Sequence, residues 1–401
     1  MWRDRYEAKD SFLRRGQIHP GAPCAAEIPE GVCGMFMRIV EMAAKLKAGV
    51  IGLGMGGGHL GCYLEHPDVE VVAIADRRED RRALLPSRWP TFKGKVYHEG
   101  IDMIRNEKLD ILSVAVPNNQ HAELTIAGLE AGANVLCEKP MAMNAREAQA
   151  MLDTAKRCGK KLGIDFSYRF NPQSRAMKDL VESGALGNIY YARTVWLRRS
   201  GIPGLASSNF NTGSGSPMGS WFFDKAQSGG GPLIDLGVHR LDLALWLMGY
   251  PEPDWVMAST YAKFGPKWAK RAGCEYSVED LACAMIKFKN GATLELDASW
   301  ACNIKERELQ TLRLLGEEGG MYQYNLNEGY TYQVEYYKRM ADRPFDCIMH
   351  GAEPTPSSFQ LFADAVRDDK PFLVKPEEGV TVMKILDAVY ESANSGAPVR
   401  L

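Results

Sequence analysis

The sequence lacks a hydrophobic run long enough to cross a membrane, and it lacks an excess of charge of either sign. The formal net charge is −2 over 401 residues, so neither nucleic acid nor an anionic membrane is expected as a partner. The arginine pair at 14–15 is not followed by a hydrophobic segment, which argues against a twin-arginine export signal. These absences favour a cytoplasmic protein.

A C-x-x-C pair is also absent. The nine cysteines are scattered along the chain, which favours reduced thiols over a disulfide framework or a zinc site, and no metal is expected. With 45% hydrophobic and 24% charged residues, the composition is that of an ordinary globular protein, and the length predicts two domains. Residues 1–44 show no hydrophobic periodicity, so we expect a disordered leader outside the fold.

From residue 47 onward, continuous Val/Ile/Leu runs alternate with helical patterns. The predicted strands cover 47–52, 70–75, 109–116, 134–137 and 161–165, and the predicted helices include 120–131 and 145–158. This alternation is typical of a parallel sheet covered by helices on both faces. The sequence therefore predicts an α/β fold that begins with a doubly wound, Rossmann-type domain over 45–166.

The first predicted strand runs into GLGMGG, residues 52–57, with the spacing G-x-G-x-x-G. In dinucleotide-binding turns the first glycine makes the turn, the second admits the pyrophosphate, and the third permits close helix packing. Asp76 ends the next strand 19 residues after Gly57, where a carboxylate binds the ribose of NAD. The pattern predicts an NAD site, and the alternative is a glycine-rich turn without a ligand.

Four arginines after Asp76 leave NADP open as the cofactor. The carboxylate of Asp76 repels a 2′-phosphate and favours NAD, whereas any of the arginines at 77, 78, 81 and 82 could hold that phosphate. The alternative for these arginines is a solvated helix face, and we expect it for Arg81 and Arg82.

Two later strands end in VPNNQH, residues 116–121, and CEKP, residues 137–140. Ligands of open α/β sheets bind at the carboxyl ends of the strands. We expect Asn118 and His121 to reach the cofactor ribose or to cap the following helix. Lys139, between a glutamate and a proline, is expected to point its charge toward the reactive end of the cofactor.

Residues 229–249 read GGGPLIDLGVHRLDLALWLMG, a helix pattern that is apolar nearly all round. On an α-helical wheel, Asp235, His239 and Asp242 fall within about 60° of one another. A polar stripe on a buried helix must be paired or must line a cavity. The pattern predicts either an internal His–Asp pair or the wall of an active site. Gly237, opposite the stripe, is expected to allow close packing.

The motifs GLGMGG, Asp76, PNNQH, EKP and GGGPLIDLGVHRLD together resemble the glucose–fructose oxidoreductase, inositol dehydrogenase and MocA (Gfo/Idh/MocA) family, from about residue 47 to the C-terminus. The resemblance implies a two-domain NAD(P)-dependent enzyme that acts on sugars or cyclitols, with catalytic work for Lys139, Asp235 and His239. The expected cofactor-binding residues are Gly52, Gly54, Met55, Gly56, Gly57, Asp76, Arg77, Pro117, Asn118, His121, Glu138 and Lys139. The expected substrate-binding residues are Arg169, Trp221, Asp235 and His239.

Residues 167–401 are expected to form a substrate-binding and oligomerisation domain of the α+β class. Alternating patterns at 189–198, 255–263, 281–288, 292–300 and 309–315 predict a mostly antiparallel sheet with one face covered. The resemblance implies an open-faced sheet of the kind used for oligomer contacts, so we expect a homodimer or homotetramer. The connection at 200–231 contains Trp221 and is predicted to line the substrate or to act as a lid.

These residues supply what oxidation of a secondary alcohol needs. His239 is the expected base, Asp235 is expected to orient its imidazole, and Lys139 is expected to stabilise negative charge on the reacting oxygen. Asp242 is expected either to fix the other side of His239 or to bind neighbouring helices. The sequence predicts an NAD(P)-dependent dehydrogenase of a ring hydroxyl, with a pyranoside oxidised at C3 favoured. The alternatives are an NAD-dependent glycosidase and a non-catalytic NAD-dependent sugar sensor.

Overall fold

The computed structural model describes residues 44–205 and 220–401. The expected leader at 1–44 therefore lies almost wholly outside the described residues, as does the middle of the predicted lid loop. Residues Lys45–Leu401 form one compact unit. Within the described ranges, no helix combines the length and the apolar character that spanning a bilayer requires.

The first half of this unit is a parallel sheet of six strands in the order β3-β2-β1-β4-β5-β6. The strands are β1 (Leu46–Ile51), β2 (Val69–Ala75), β3 (Lys95–Tyr97), β4 (Ile111–Val114), β5 (Asn134–Glu138) and β6 (Leu162–Asp165). The helices are α1 (Gly56–Glu65), α2 (Glu79–Arg82), α3 (Leu85–Arg88), α4 (Gly100–Asn106), α5 (His121–Glu130) and α6 (Ala145–Cys158). This sheet confirms the predicted Rossmann-type fold. The sequence did not predict β3 because it is a three-residue edge strand without a buried residue.

The second half forms a nine-stranded sheet in the order β14-β13-β12-β11-β7-β10-β9-β8-β15. Its strands are β7 (Ile189–Arg198), β8 (Pro253–Tyr261), β9 (Leu281–Phe288), β10 (Thr293–Ser299), β11 (Glu308–Gly316), β12 (Gly320–Leu326), β13 (Thr331–Met340), β14 (Arg343–Ile348) and β15 (Val399–Arg400). The helices are α7 (Pro172–Glu182), α8 (Lys225–Ser228), α9 (Val238–Leu247), α10 (Gly265–Ala272), α11 (Ser358–Arg367) and α12 (Pro376–Ser395). Only β7 and β10 pair in parallel, so the expected mostly antiparallel sheet is confirmed.

One face of the second sheet is covered and the other is open. In β9, Ala282, Ala284, Ile286 and Phe288 are buried, whereas the residues between them are partly or fully exposed. Helices α9 and α12 pack on the covered side. The chain then returns to the first sheet, because Phe362 of α11 is buried in the core beside α1.

The helix predicted over 229–249 begins with a π-helical turn, Leu233–Gly237, and continues as α9. The N–H of Val238 donates to the carbonyl of Leu233, five residues earlier. A π turn is wider than an α turn, so the angular positions calculated for a regular helix do not hold across it. The expected common stripe of Asp235 and Asp242 is therefore wrong, and the two carboxylates have separate partners.

The start of this helix is held by a carboxylate from another part of the chain. Glu279 accepts hydrogen bonds from the backbone N–H groups of Gly231, at 3.0 Å, and Leu233, at 3.1 Å. A Cβ on Gly231 would lie 2.2 Å from the carbonyl oxygen of Glu279. Gly231 thus serves packing rather than ligand approach. Gly237 behaves as expected, since a Cβ there would lie 3.2 Å from that of Ala298 in β10.

Candidate active site

A cavity of about 610 Å³ opens at the carboxyl ends of β1, β2, β4 and β5. The strand order reverses between β1 and β4, which is where doubly wound sheets bind ligands. The cavity is lined by the glycine turn, by Asp76, by the segments that follow β4 and β5, and by Asp235 from the π turn. Both halves of the chain thus contribute to its wall.

The glycines of the turn have different roles. Gly52 has a φ of +88°, and a Cβ there would lie 2.1 Å from the carbonyl oxygen of Ala115, so only glycine fits. Gly54 lines the cavity beneath the guanidinium of Arg81. Gly56 packs against Ala115 at the base of α1, the close approach that the motif assigns to its last glycine.

Gly57 and Met55 complete the motif. A Cβ on Gly57 would lie 2.8 Å from the ring of Trp89, so this glycine allows helix α1 to pack against the segment after α3. Met55 lines the cavity and is 62% exposed. Gly54 and Met55 are therefore placed to contact a ligand, whereas Gly56 and Gly57 shape the turn behind them.

Asp76 is buried at the end of β2. Its carboxylate accepts from the N–H of Leu53, at 2.7 Å, and from that of Arg78, at 2.8 Å. Arg81 lies 3.5 Å from the same carboxylate and lines the cavity, and Arg82 donates to the carbonyl of Asp76. The expectation that the last two arginines lie on a solvated helix face is therefore wrong.

Arg77 lines the same cavity, but its side chain is 63% exposed and its guanidinium pairs with Glu99 at 2.8 Å. The turn as a whole fits a dinucleotide: the cradle at Gly52 and Gly54 excludes side chains, and a buried carboxylate stands at the end of the neighbouring strand. The cation nearest that carboxylate, Arg81, also faces the site.

Pro117 and Asn118 line the cavity after β4. Asn118 is buried, and its side chain caps neither of the helical segments that follow. Its amide donates to the carbonyl of Ser228 at 2.8 Å and so links the two halves of the chain. His121 has no exposed surface, and its ring nitrogens lie 2.7 Å and 2.9 Å from the carbonyls of Pro140 and Val116. Burial lowers the pKa of His121. This placement contradicts the expectation that His121 contacts the cofactor.

Glu138 lines the cavity at the end of β5, and it also belongs to a buried group with His59 and Asp165. Nε2 of His59 lies 3.1 Å from Oε1 of Glu138. Burial, and then the charge of Glu138, raise the pKa of Asp165 to about 7. The pKa of Asp165 is thus raised and that of Glu138 is lowered, as for two neighbouring buried carboxyl groups that compete for one charge. The expectation of no metal stays a prediction.

Lys139 and Asp235 form the centre of the site. Nζ of Lys139 donates to Oδ1 of Asp235 at 3.0 Å and to its backbone oxygen at 2.9 Å, and Nε1 of Trp300 donates to Oδ2 at 2.9 Å. Burial alone would raise the pKa of Asp235, but the charges of Lys139 and Arg198 and these hydrogen bonds hold it below its ordinary value. Both side chains keep a small exposed fraction, 16% for Lys139 and 15% for Asp235.

His239 lies one helical turn beyond Asp235, against the rings of Tyr168 and Trp196, with centroid distances of 5.1 Å and 5.9 Å. Burial, and then the positive charge of Lys139, hold the pKa of His239 well below its usual range, although Asp235 opposes them. The imidazole is therefore neutral at neutral pH. Nδ1 of His239 has no hydrogen-bond partner among the described residues, so the expected orientation of the ring by Asp235 is not seen.

Asp242 points away from this centre and pairs with Arg169. The guanidinium of Arg169 donates to the two carboxylate oxygens at 2.6 Å and 2.9 Å, and it also binds Glu378 and Tyr250. Arg169 is 0% exposed. A guanidinium with these partners and no accessible surface contradicts the expectation that Arg169 binds the substrate. Of the two roles left open for Asp242, the structure supports the contact with neighbouring elements.

Trp221 lines the cavity, and its ring contacts that of Phe222 in a tilted arrangement with a centroid distance of 3.9 Å. The sequence did not predict the contact between Asp235 and Trp300, which directly follows β10 and is wholly buried. The burial of Trp300 follows from the residue pattern of β10. The inward alternation of Leu294, Leu296 and Ala298 continues to position 300, which places the indole on the side of the sheet that the 229–249 helix covers.

Comparison with known proteins agrees with this geometry. Residues 46–166 match the oxidoreductase family described as an NAD-binding Rossmann fold, and residues 174–322 match the GFO/IDH/MocA C-terminal domain. A D-glucoside 3-dehydrogenase of Escherichia coli is 31% identical over 91% of this chain and 100% of its own length. The chain belongs to the Gfo/Idh/MocA oxidoreductase family.

Other members of the family are also similar over most of their length. The myo-inositol 2-dehydrogenase of Thermotoga maritima is 26% identical over 89% of this chain and 98% of its own length. A solved levoglucosan dehydrogenase, in complex with NADH and levoglucosan, is 25% identical, with a TM-score of 0.74 over 89% of this chain and 99% of that one. The expected family, fold class and NAD-binding domain are thus confirmed, and the protein is an oxidoreductase.

Proposed function

We propose that this protein is an NAD-dependent dehydrogenase that oxidises a secondary ring hydroxyl of a glycoside, at C3 of a pyranoside. The observation that supports this best is the Lys139–Asp235 pair at the mouth of the dinucleotide cavity, one helical turn from a neutral His239. The similarity to a D-glucoside 3-dehydrogenase over that protein's whole length favours the C3 position.

The site residues have separate tasks in this proposal. NAD, held by the glycine turn and Asp76, would supply the acceptor for the hydride that leaves the sugar carbon. His239 accepts the proton of the hydroxyl, since its neutral imidazole is a base at working pH. The Lys139 ammonium donates a hydrogen bond to the oxygen as negative charge develops on it. The carbon–oxygen single bond becomes a carbonyl, and the products are the keto sugar, NADH and one proton.

Asp235 keeps the charge of this site balanced. Its ionised carboxylate offsets the Lys139 ammonium, so the two form a neutral pair in a largely desolvated place. NAD is the proposed cofactor because Asp76 repels a 2′-phosphate, and Arg81 beside it keeps NADP as the alternative to test.

The test is NADH formation with methyl glucosides, free aldoses and inositols, with the product carbonyl located by NMR. The proposal predicts turnover of the glucoside with a carbonyl at C3. Absence of NADH with every glycoside would contradict it. A nitrophenyl glucoside distinguishes the glycosidase alternative, because rapid release of nitrophenol without net NADH would indicate hydrolysis. A sensor would bind sugar and NAD without either product.

We also propose that the protein is a cytoplasmic homo-oligomer that associates through the open face of its second sheet. That face has paired polar side chains, with Tyr191 bonded to Glu295 at 2.9 Å and Arg193 to Asp297 at 3.0 Å. Light scattering after gel filtration tests the association, and reversal of charge at Arg193 should weaken it. A monomeric mass at micromolar concentration would refute this part.

A further inference from the structure

Trp300 is attached to a rigid part of the second sheet. It follows β10 directly, its backbone N–H donates to the carbonyl of Asp280 at 3.0 Å, and the hydroxyl of Ser299 donates to the same carbonyl at 2.8 Å. The side chain is 0% exposed. The indole therefore approaches Asp235 from a fixed position.

An indole N–H is a donor only, and a buried donor without an acceptor is costly. Trp300 thus requires an acceptor oxygen at its Nε1, and Oδ2 of Asp235 provides it at 2.9 Å. With Oδ2 held in this way, Oδ1 faces Nζ of Lys139 at 3.0 Å. Both carboxylate oxygens of Asp235 are thus occupied by donors other than His239.

We propose that Trp300 is a positioning residue, which commits Asp235 to Lys139 and so leaves the ring of His239 to the substrate. This inference rests on the proposed dehydrogenase function. Loss of the indole N–H would free the carboxylate to rotate, and the backbone oxygen of Asp235 would be the one contact in this pair that still fixes the Lys139 ammonium. The effect should appear in turnover rather than in binding, because a misplaced charge matters most as charge develops.

Trp300→Phe keeps most of the aromatic volume and removes the hydrogen bond. We expect kcat to fall about tenfold, as for the loss of one hydrogen bond to a charged group, while the KM for the glucoside and the affinity for NADH stay within about twofold. In an Asp235→Asn background, Trp300→Phe should lower kcat by less than about twofold, because Asp235→Asn has already altered the hydrogen bond that Trp300→Phe removes.

Trp246→Phe is the matched control, because the Trp246 indole is also buried but lies against Arg169 and Lys178 rather than Asp235. This control substitution should lower kcat by the same factor in the unmodified protein and in the Asp235→Asn background. An equal loss from Trp300→Phe in both backgrounds would show that Trp300 acts by packing alone, and this would overturn the inference. A loss smaller than about twofold in the unmodified protein would overturn it as well.

A second measurement does not depend on activity or on the folding of the Trp300 variant. The chain has eight tryptophans, so 15N-labelled protein gives eight indole N–H resonances. Asp235→Asn and Lys139→Met should both move the resonance assigned to Trp300 most. If they move different resonances or none, the inference fails, even where the wild-type protein oxidises glucosides. If the wild type yields no NADH, the proposed function fails and this spectrum still decides the Trp300 contact.

Discussion

Replacement of His239 by asparagine tests the base directly, since an amide of similar shape does not titrate in the accessible range. The structure sets the expected pH dependence of the wild type. Burial and Lys139 hold the pKa of His239 well below 6.5, so kcat/KM should be flat from neutral pH upward with respect to this group. It should fall on the acid side, by about tenfold per pH unit once the imidazole is protonated.

His239→Asn should remove this acid limb and lower kcat by ~10²–10⁴-fold, the usual contribution of a placed acid–base group. NADH affinity, measured by fluorescence, should change little, because His239 is not among the residues that line the dinucleotide cavity. The assay is the pH profile of glucoside oxidation from pH 5 to 9, with melting temperature and NADH binding measured on the same preparation.

Stability gives an independent check on the same ionisation. In the unfolded chain histidine titrates near its ordinary pKa of about 6.5, whereas in the folded protein His239 binds a proton only at lower pH. The unfolded state therefore binds more protons as pH falls below about 6.5, and the folded protein loses stability there. His239→Asn should reduce this loss. A folded variant that keeps more than a tenth of wild-type turnover with its acid limb intact would refute the assignment of His239 as base.

Four further predictions concern single residues. Asp76→Ala should weaken NAD binding by ~1.5–3 kcal/mol and narrow the NAD/NADP ratio in titrations of both cofactors; an unchanged ratio would assign the choice to the arginines. Lys139→Met should lower kcat by ~10²–10³-fold, which single-turnover measurement of hydride transfer checks, with little change in NAD affinity. Arg169→Met should lower the free energy of unfolding by ~3–5 kcal/mol in denaturant titrations, because it leaves Asp242 buried without its cation; a rise in KM alone would restore a substrate role. The pKa of Asp165 is raised from 3.8 to about 7, so the folded protein loses stability as pH rises between these values, and Asp165→Asn should raise the melting temperature at pH 8 more than at pH 5.

The parallel, helix-covered character of the first sheet and its cofactor turn could be predicted from sequence because their signals are local. Buried parallel strands contain continuous apolar runs, and the positive φ at Gly52 requires a residue that the sequence shows directly. Asp76 and Lys139 could be placed at the cavity because both stand at the carboxyl ends of predicted strands, and such ends meet at one edge of the sheet.

The partners of the polar side chains depended on tertiary structure. Asp235 meets Lys139 and Trp300, which are 96 and 65 positions away, and Asp242 meets Arg169 at a separation of 73. A helical wheel gives the angle of a side chain on its own helix, and here even that angle changed at the π turn. Burial decides the rest: whether His121 or Arg169 faces a ligand or the interior depends on how the two sheets and their helices pack, and no local pattern of residues contains that information.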